Sequence, residues 1–255
     1  MKKIAQFLLN KLPRPMLIQL SIFLRPLIYL FFKGNRFLDP IDGKKYRSFL
    51  PYGYGKQRKN ALSPGTLSLE RHRQMWLYLQ RETDFFKTQL KVLHIAPEQS
   101  FINRFRKMKN LDYITADLYS PIVDVKADIL DLPFENESFD VVFCNHVLEH
   151  IEDDKKAMSE LFRVMKKGGW GIFQVPIKSS LSTTYEDFSI TDPKERQKHF
   201  GQYDHVRWYG MDYSQRLESV GFSVEMNFYS QEFSDEEIQK YALMKNEILP
   251  IVRKL

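Results

Sequence analysis

The region from residue 90 to residue 175 alternates short apolar runs with stretches of helical periodicity. Between the runs, apolar residues recur at the spacing of one helix face, as at Phe101 and Phe105. The apolar runs are residues 91–95, 112–116, 122–126, 139–144 and 170–175. Such alternation predicts βαβ units that build a parallel sheet.

Polar residues follow several of these runs at the point where each predicted strand ends. Asp117 comes directly after the second run, 21 residues beyond Ala96. A nucleotide-binding βαβ unit presents a carboxylate to ribose hydroxyls at about this separation. Asp128 follows the third run, and Asn145 follows the fourth. Because parallel strands end at one edge of a sheet, the sequence predicts a ligand cleft there.

The C-terminal part continues the pattern with weaker signals. We expect Gly168 and Gly169 to end the helix that carries Met158 and Leu161, ahead of the run at residues 170–175. Gly221 is predicted to end a later helix, and a strand is predicted to follow it at residues 222–229. Residues 247–253 are predicted to form a closing antiparallel strand. Pro250 is unexpected in that strand, because a strand with two neighbours needs its backbone N–H groups.

Three sequence blocks resemble the class I S-adenosylmethionine-dependent methyltransferases of the type 11 kind. ADILDLPFENESFDVVFCNHVLEHI and ELFRVMKKGGWGIFQVP are similar to the third to fifth motifs of that family. DHVRWYGMDYSQRLESVGFSVE is similar to its last helix and sixth strand, so the resemblance covers roughly residues 90–255. It implies an α/β fold with a Rossmann-like, doubly wound, mostly parallel seven-stranded sheet, and S-adenosyl-L-methionine as the cofactor.

The resemblance also implies roles for residues at the predicted strand ends. Asp117, with Leu118, would hold the ribose hydroxyls. Asp128 with Ile129 would bracket the adenine edge, and Asn145 with His146 would lie under the methionine portion. The other implied cofactor contacts follow the first strand and are His94, Ala96, Pro97 and Glu98.

The first motif departs from the family, because residues 94–100 contain no glycine. Glycine lets the backbone approach a ligand closely, whereas Pro97 fixes φ and removes a donor. We hypothesise that the Glu98 carboxylate meets the ammonium group of the cofactor instead. The alternative is that Glu98 only favours the start of a helix.

A long polar stretch at residues 176–204 predicts a lid over the acceptor. His205 and His150 are the candidate general bases, since an imidazole titrates near neutral pH. Either histidine has an alternative structural role, His205 in fixing the loop and His150 in ending a helix. The predicted acceptor contacts are Tyr185, His199, Arg207 and Tyr209.

Charge is concentrated at the start of the chain. Residues 1–60 contain 13 lysines and arginines against two acids, whereas the rest contains 25 against 30. Residues 16–32 are nearly all apolar, but Arg25 interrupts them and no small-residue cleavage site follows, which disfavours a spanning helix or a secretory signal. We expect residues 1–35 either to lie on an anionic membrane surface or to dock as a helix pair.

Residues 36–86 resemble a small zinc-ribbon module found ahead of some such methyltransferases. The cysteine positions are occupied by Asp39, Asp42, Ser63 and Thr66. The prediction is therefore a metal-free module, held by packing of the aromatic residues Phe37, Phe49, Tyr52 and Tyr54. The single cysteine, Cys144, ends an apolar run and is predicted to be a core thiol in a reducing compartment.

The sequence thus predicts leader helices at residues 1–35, the small module at 36–86 and a methyltransferase domain at 87–255. We expect a cytoplasmic enzyme, peripheral at the inner face of the membrane, with a small-molecule or lipid-linked acceptor. No metal site is expected, because no Cys/His set has metal-ligand spacing. Nucleic acid is not an expected partner. The alternatives are a non-catalytic cofactor-binding or scaffold protein, a nicotinamide-dependent dehydrogenase and a membrane-surface structural protein.

Overall fold

The structure is a computed structural model that describes residues 27–53 and 57–255. The predictions for residues 1–26, and the packing of Tyr54, lie outside this part of the chain. Two compact units are present among the described residues, one formed by residues 27–53, 57–73 and 235–243, the other by residues 74–234 and 244–255. Among the described residues, no helix has the length and apolar character needed to cross a membrane.

The first unit contains two β-hairpins. Their strands are β1 (Lys33–Asp39), β2 (Lys44–Tyr46), β3 (Leu50–Tyr52) and β4 (Arg58–Leu62), and helix α1 follows them (Glu70–Arg81). Phe37 and Phe49 are buried, with ring centroids 5.2 Å apart, and Tyr46 packs against them. Tyr52 is exposed instead. The predicted aromatic packing is therefore confirmed for Phe37 and Phe49 and wrong for Tyr52.

Hydrogen bonds join the two turns that carry the predicted cysteine-replacing residues. Asp39 is fully buried, and its Oδ2 accepts from the Thr66 hydroxyl at 2.5 Å and from the Ser68 hydroxyl at 3.3 Å. Asp42 accepts from the buried Tyr46 hydroxyl at 2.7 Å. The buried Arg73 guanidinium donates to four backbone carbonyl groups of this unit. This polar network connects the hairpins without any thiol.

The second unit is built on a seven-stranded sheet, as predicted. Its strands in chain order are β5 (Leu90–Ile95), β6 (Leu111–Asp117), β7 (Val125–Lys126), β8 (Phe139–Cys144), β9 (Met165–Ile172), β12 (Ser223–Asn227) and β13 (Leu249–Arg253). The spatial order is β12-β13-β9-β8-β5-β6-β7, and only β13 runs antiparallel to its neighbours. The predicted Rossmann-like, doubly wound α/β fold is confirmed.

Helices and a small second ribbon complete this unit. The helices are α2 (Ile102–Phe105), α3 (Asp154–Val164), α4 (Pro193–Phe200) and α5 (Tyr213–Glu218), and α6 (Asp235–Tyr241) belongs to the first unit. Strands β10 (Tyr185–Glu186) and β11 (Arg207–Trp208) pair antiparallel. Helix α4 and strand β10 lie in the stretch predicted as a loop. Asp192 caps α4, and Gly201 ends it at φ +82°.

Three boundaries differ from the sequence prediction. Helix α3 ends at Val164, and Gly168 lies within β9, where the register against β8 shifts. The third predicted strand has only two residues. Before it, the Asp124 carboxylate accepts hydrogen bonds from the backbone N–H and the hydroxyl group of Thr115 in the neighbouring strand. Pro250 is accommodated because the pairing of β13 with β9 begins only at Ile251.

The core of this unit lies between the sheet and its helices. Cys144 is fully buried in it, and burial raises the pKa of its thiol, as expected for a core cysteine. The register aligns Ile95 of β5 with Ala116 of β6 and with Cys144 of β8. The residues that follow these three positions therefore meet at one edge of the sheet.

Candidate cofactor and acceptor site

The turn after β5 keeps a glycine-like backbone although it contains no glycine. Ala96 adopts φ +47°, in the left-handed region, and its N–H donates to the Ala116 carbonyl at 2.8 Å. A side chain in this region costs roughly 1–2 kcal/mol relative to the right-handed region. Alanine has the smallest side chain that could be placed there. The shape expected of a glycine turn is thus retained at the edge of the sheet.

Glu98 is held by contacts with His94 and Asn145 that the sequence did not reveal. Its Oε2 lies 2.6 Å from Nε2 of the fully buried His94, and its Oε1 accepts from Asn145 Nδ2 at 3.2 Å. His94 Nδ1 lies 2.8 Å from the Tyr113 hydroxyl. Burial raises the pKa of Tyr113, so this hydroxyl keeps its proton and donates to Nδ1. The Nε2 proton of His94 then faces Glu98 and fixes its carboxylate at the sheet edge.

The two predicted adenosine-binding acids lie in different surroundings. Asp117 is the last residue of β6, and its Oδ1 accepts the backbone N–H groups of Tyr119 and Ser120 at 2.7 and 2.6 Å. Those bonds orient the carboxylate at the carboxyl end of its strand. Asp128 is exposed and caps its own turn through Leu130, whereas the Ile129 side chain is buried in the core.

Buried polar atoms without partners mark the carboxyl ends of β8 and β9. Asn145 accepts the backbone N–H of Gln174 at 3.1 Å, and the N–H of His146 donates to the Gln174 carbonyl at 2.7 Å. The Gln174 side chain is 1% exposed, yet neither of its polar atoms has a hydrogen-bond partner among the described residues. His146 Nε2 is in the same situation. Because buried polar groups are normally paired, these atoms fit a polar ligand.

Glu149 is a buried acid that remains ionised. Its Oε1 lies 3.0 Å from His146 Nδ1, and its side chain is 1% exposed. Burial alone would raise the pKa of this carboxyl group. The hydrogen bond from His146 and the nearby His150 outweigh burial and hold the pKa below its usual value. The site therefore contains a fixed negative charge.

The two candidate bases, His150 and His205, contact each other across the sheet edge. Their ring centroids are 4.8 Å apart, although the residues are 55 positions apart in the sequence. Burial lowers the pKa of His205 below its usual value, so this imidazole is neutral near pH 7. The structure thus brings both predicted bases together beside Glu149.

Arg207 and Tyr209 require a correction, because the structure gives both a supporting role. Arg207 is 1% exposed, and its guanidinium donates to the carbonyl groups of Leu148, Ile151 and Glu152. It also pairs with Glu186 at 2.8 Å. These donors hold the segment that carries Glu149 and His150, so they are not directed at an acceptor.

Tyr209 is fully buried, and its hydroxyl donates to Asp154 at 2.7 Å. Arg216 pairs with the same carboxylate at 2.7 Å. This contact anchors the start of α3. We therefore replace the predicted acceptor contact of Tyr209 with a structural one.

Tyr185 and His199 meet at the surface, within the stretch that was predicted to form a lid. The Tyr185 hydroxyl lies 2.9 Å from His199 Nδ1, and Tyr185 also packs on Phe200. The pair joins β10 to α4 across the stretch predicted to cover the acceptor. Their contact with an acceptor stays a prediction.

Sequence reasoning missed Tyr113, Glu149 and Gln174 as site residues. Glu149 had a detectable signal, because it follows His146 by three residues and could share one face of a turn with it. Tyr113 and Gln174 had none, since both stand within apolar runs that indicate only buried strands.

Comparison with known proteins indicates the class of protein to which this chain is similar. Residues 80–173 match the family described as a methyltransferase domain. A ubiquinone/menaquinone biosynthesis C-methyltransferase of Vibrio campbellii is 37% identical over 69 residues, which cover 26% of this chain and 27% of that protein. A sterol 24-C-methyltransferase of Schizosaccharomyces pombe is 26% identical over 169 residues, covering 66% of this chain and 39% of its own length. The chain thus matches only about a quarter to two fifths of these two relatives.

A solved structure of similar fold is the 1,6-didemethyltoxoflavin-N1-methyltransferase of Burkholderia thailandensis, with 1,6-didemethyltoxoflavin and S-adenosylhomocysteine bound. The two sequences are 12% identical. The alignment covers 72% of the present chain and 77% of the Burkholderia protein, with a TM-score of 0.48.

The sheet order and the polar residues at its edge define a Rossmann-like ligand-binding domain. The match of residues 80–173 identifies a methyltransferase domain in this part of the chain, in agreement with the resemblance noted in the sequence. S-adenosylmethionine is the cofactor expected of such a domain.

Proposed function

We propose that this chain is an S-adenosylmethionine-dependent methyltransferase whose cofactor lies across the carboxyl ends of β5, β6 and β8. One observation carries the proposal. Glu98, Asp117 and Asn145 follow three adjacent parallel strands and meet at one sheet edge, within the domain matched to the family.

The residues at this edge fit the cofactor's chemistry. Asp117 would accept hydrogen bonds from the ribose hydroxyls, and its orientation is already set by two backbone N–H groups. Glu98 would meet the ammonium group, since its carboxylate is held at the edge by His94 and Asn145. The unpaired polar atoms of His146 and Gln174 would supply further partners.

When bound, S-adenosylmethionine supplies a methyl group on a sulfonium ion, which is already a good electrophile. The chain's own task is therefore to align the acceptor and exclude water. Ala96 brings the backbone close to the ligand, and the lid formed by β10, β11 and α4 would cover the acceptor. His205, neutral near pH 7, would accept a proton from a hydroxyl acceptor at Nε2, because its Nδ1 donates to the Phe200 carbonyl.

For the acceptor, we propose a small molecule or a lipid-linked compound, reached at the cytoplasmic face of a membrane through residues 1–35. The basic and apolar character of this leader supports the proposal. Two relatives named for ubiquinone/menaquinone and sterol methylation are consistent with a lipid acceptor. Flotation of the full chain with anionic vesicles tests the membrane part, since a protein that stays in the dense fraction would contradict it.

Calorimetric titration with S-adenosylhomocysteine tests the cofactor site. We expect binding by the wild-type chain and a loss of about 10-fold or more in Asp117→Asn, because a charge-assisted hydrogen bond contributes about 1.5–3 kcal/mol. Asp112→Asn is the matched control, at the other end of β6 and exposed to solvent. An equal affinity of the Asp117 and Asp112 variants would contradict the assignment.

Transfer of labelled methyl groups to a lipid and metabolite extract tests turnover separately. A labelled product is expected with wild type. Binding without any labelled product would instead favour the non-catalytic alternative.

A further inference from the structure

Glu149, His150 and His205 form a cluster with the chemistry of a metal site. One ligand atom from each residue lies within 4.8 Å of the other two. Ligands of a single ion stand no further apart than twice the metal–ligand distance, roughly 4.2 Å for nitrogen and oxygen donors. The widest pair therefore needs to close by about half an ångström or more, which rotation of a side chain supplies.

The hydrogen bonds of the two imidazoles direct their lone pairs away from the backbone. His150 Nδ1 lies 3.2 Å from the Asp204 carbonyl oxygen, and His205 Nδ1 lies 3.2 Å from that of Phe200. A carbonyl oxygen only accepts, so Nδ1 carries the proton in both rings and Nε2 carries the lone pair. Histidines that bind metals almost always show this arrangement, with the second nitrogen donating to a carbonyl or carboxylate.

The third ligand is a buried carboxylate oxygen that has no other use in the described structure. Glu149 Oε1 is paired with His146, but Oε2 has no hydrogen-bond partner among residues 27–53 and 57–255. The side chain is 1% exposed, so solvent does not replace the missing partner. A carboxylate oxygen buried without a hydrogen-bond partner is costly, and a bound cation would remove that cost.

The two segments that carry the cluster are clamped together. The N–H of Val206 donates to the Glu149 carbonyl at 3.0 Å, next to His205. Arg207 donates to the carbonyl groups of Leu148, Ile151 and Glu152 on either side of Glu149 and His150. The three ligands therefore lie on a preorganised frame, as an ion-binding site requires.

We propose that Glu149, His150 and His205 bind one divalent first-row transition metal ion, such as Mn²⁺, Fe²⁺, Co²⁺ or Zn²⁺. Two imidazole nitrogens and one carboxylate oxygen suit these ions, whereas Mg²⁺ and Ca²⁺ prefer oxygen ligands throughout. Three protein ligands leave coordination positions open for water or another molecule. A bound ion would occupy the Nε2 lone pair of His205, so it would replace this imidazole as the group that helps a hydroxyl acceptor to lose its proton.

The open positions indicate the acceptor class, an inference that rests on the proposed methyltransferase function. An oxygen of a hydroxyl or phenol group would bind the ion directly, and the ion would favour its ionised form, with the proton passing to solvent. This holds whether the methylated atom is that oxygen or a neighbouring carbon. The acceptor is therefore a hydroxyl-bearing compound.

Cobalt titration of the metal-stripped, tag-free full chain tests the site without any methyl transfer. We expect a single Co²⁺ ion per chain by equilibrium dialysis, with visible ligand-field absorption. Glu149→Gln and His205→Ala should each weaken binding by at least about 10- to 100-fold, the loss typical of altered outer-shell partners. Glu152→Gln is the matched control, since its exposed side chain lies three residues away. Equal binding by all four proteins, or none by wild type, would overturn the proposal.

A wild-type measurement keeps the test decisive if a variant fails to fold. With ¹⁵N-labelled histidine, Zn²⁺ should shift the Nε2 signals of two of the six imidazoles. Shifts at no histidine, or at other histidines, would refute the site. Calorimetry with S-adenosylhomocysteine on the same samples separates this outcome from the proposed function. A chain that binds the cofactor analogue but no metal retains the function and loses only the metal site.

Discussion

The buried guanidinium of Arg207 offers the sharpest test of how this site is built. Arg207→Met keeps an unbranched apolar stem but removes every donor. The change takes one hydrogen bond from each of three backbone carbonyl groups and one from the Glu186 carboxylate. Since Arg207 is 1% exposed, water reaches these groups only if the structure opens.

The magnitude follows from the number and kind of contacts. Each hydrogen bond to a charged group contributes about 1.5–3 kcal/mol, but such values do not add for one side chain. Breaking a buried ion pair by removing one partner costs about 3–5 kcal/mol. We therefore expect Arg207→Met to lower the free energy of unfolding by about 3–5 kcal/mol, a large share of the 5–15 kcal/mol typical of a domain.

Urea denaturation followed by circular dichroism measures this loss. Arg196→Met is the matched control, because Arg196 donates to one carbonyl and pairs with Glu152 only at 3.9 Å. We expect a loss of about 1 kcal/mol or less for that partly exposed pair. Similar losses for the two variants would refute the role of Arg207 as the support of this segment.

Three further predictions concern single residues. Ala96→Gly should raise the free energy of unfolding by about 0.5–1 kcal/mol, since it relieves the left-handed backbone, and a lower thermal midpoint would contradict this. Glu98→Ala should weaken S-adenosylhomocysteine binding by about 1–3 kcal/mol in calorimetry, and an affinity equal to that of Gln99→Ala would remove the ammonium role. The hydrogen bonds from Arg163 hold the pKa of Glu160 below its usual value. Its stabilisation is therefore complete above the unfolded pKa of about 4.3 and lost as pH falls through the lower folded pKa, so the stabilities of wild type and Glu160→Gln should converge once the pH is below that folded pKa.

Much of the unit that contains the seven-stranded sheet follows from local sequence pattern. Apolar runs of strand length, separated by helical periodicity, were enough for the strands β5, β6, β8 and β9, because a parallel sheet buries both faces of its strands. Asp117 and Asn145 were found for the same reason, since polar residues directly after such runs lie at the sheet edge. The end of α3 was missed, because Gly168 serves a register shift in β9 instead of ending the helix.

The roles of the polar residues within the fold were harder to predict. Arg207 and Tyr209 stand in a polar stretch that reads as exposed, but both are buried. Their partners lie 21 to 61 positions away along the chain. The hydrophobic periodicity of the sequence does not predict such pairs, because they form only when distant segments of the chain pack together.

Local order along the chain therefore accounts for the sheet, for the polar residues at its proposed cofactor-binding edge and for the resemblance to a methyltransferase domain. These features depend on hydrophobic burial and on strand direction, which are specified by the pattern of apolar and polar residues over a few neighbouring positions. The contact of Glu149 and His150 with His205, the contacts that link Tyr113 to Glu98 and the clamp by Arg207 were decided by tertiary structure alone. Hydrogen bonds and charge pairs act over a few ångströms, so their partners become neighbours only after the chain has folded.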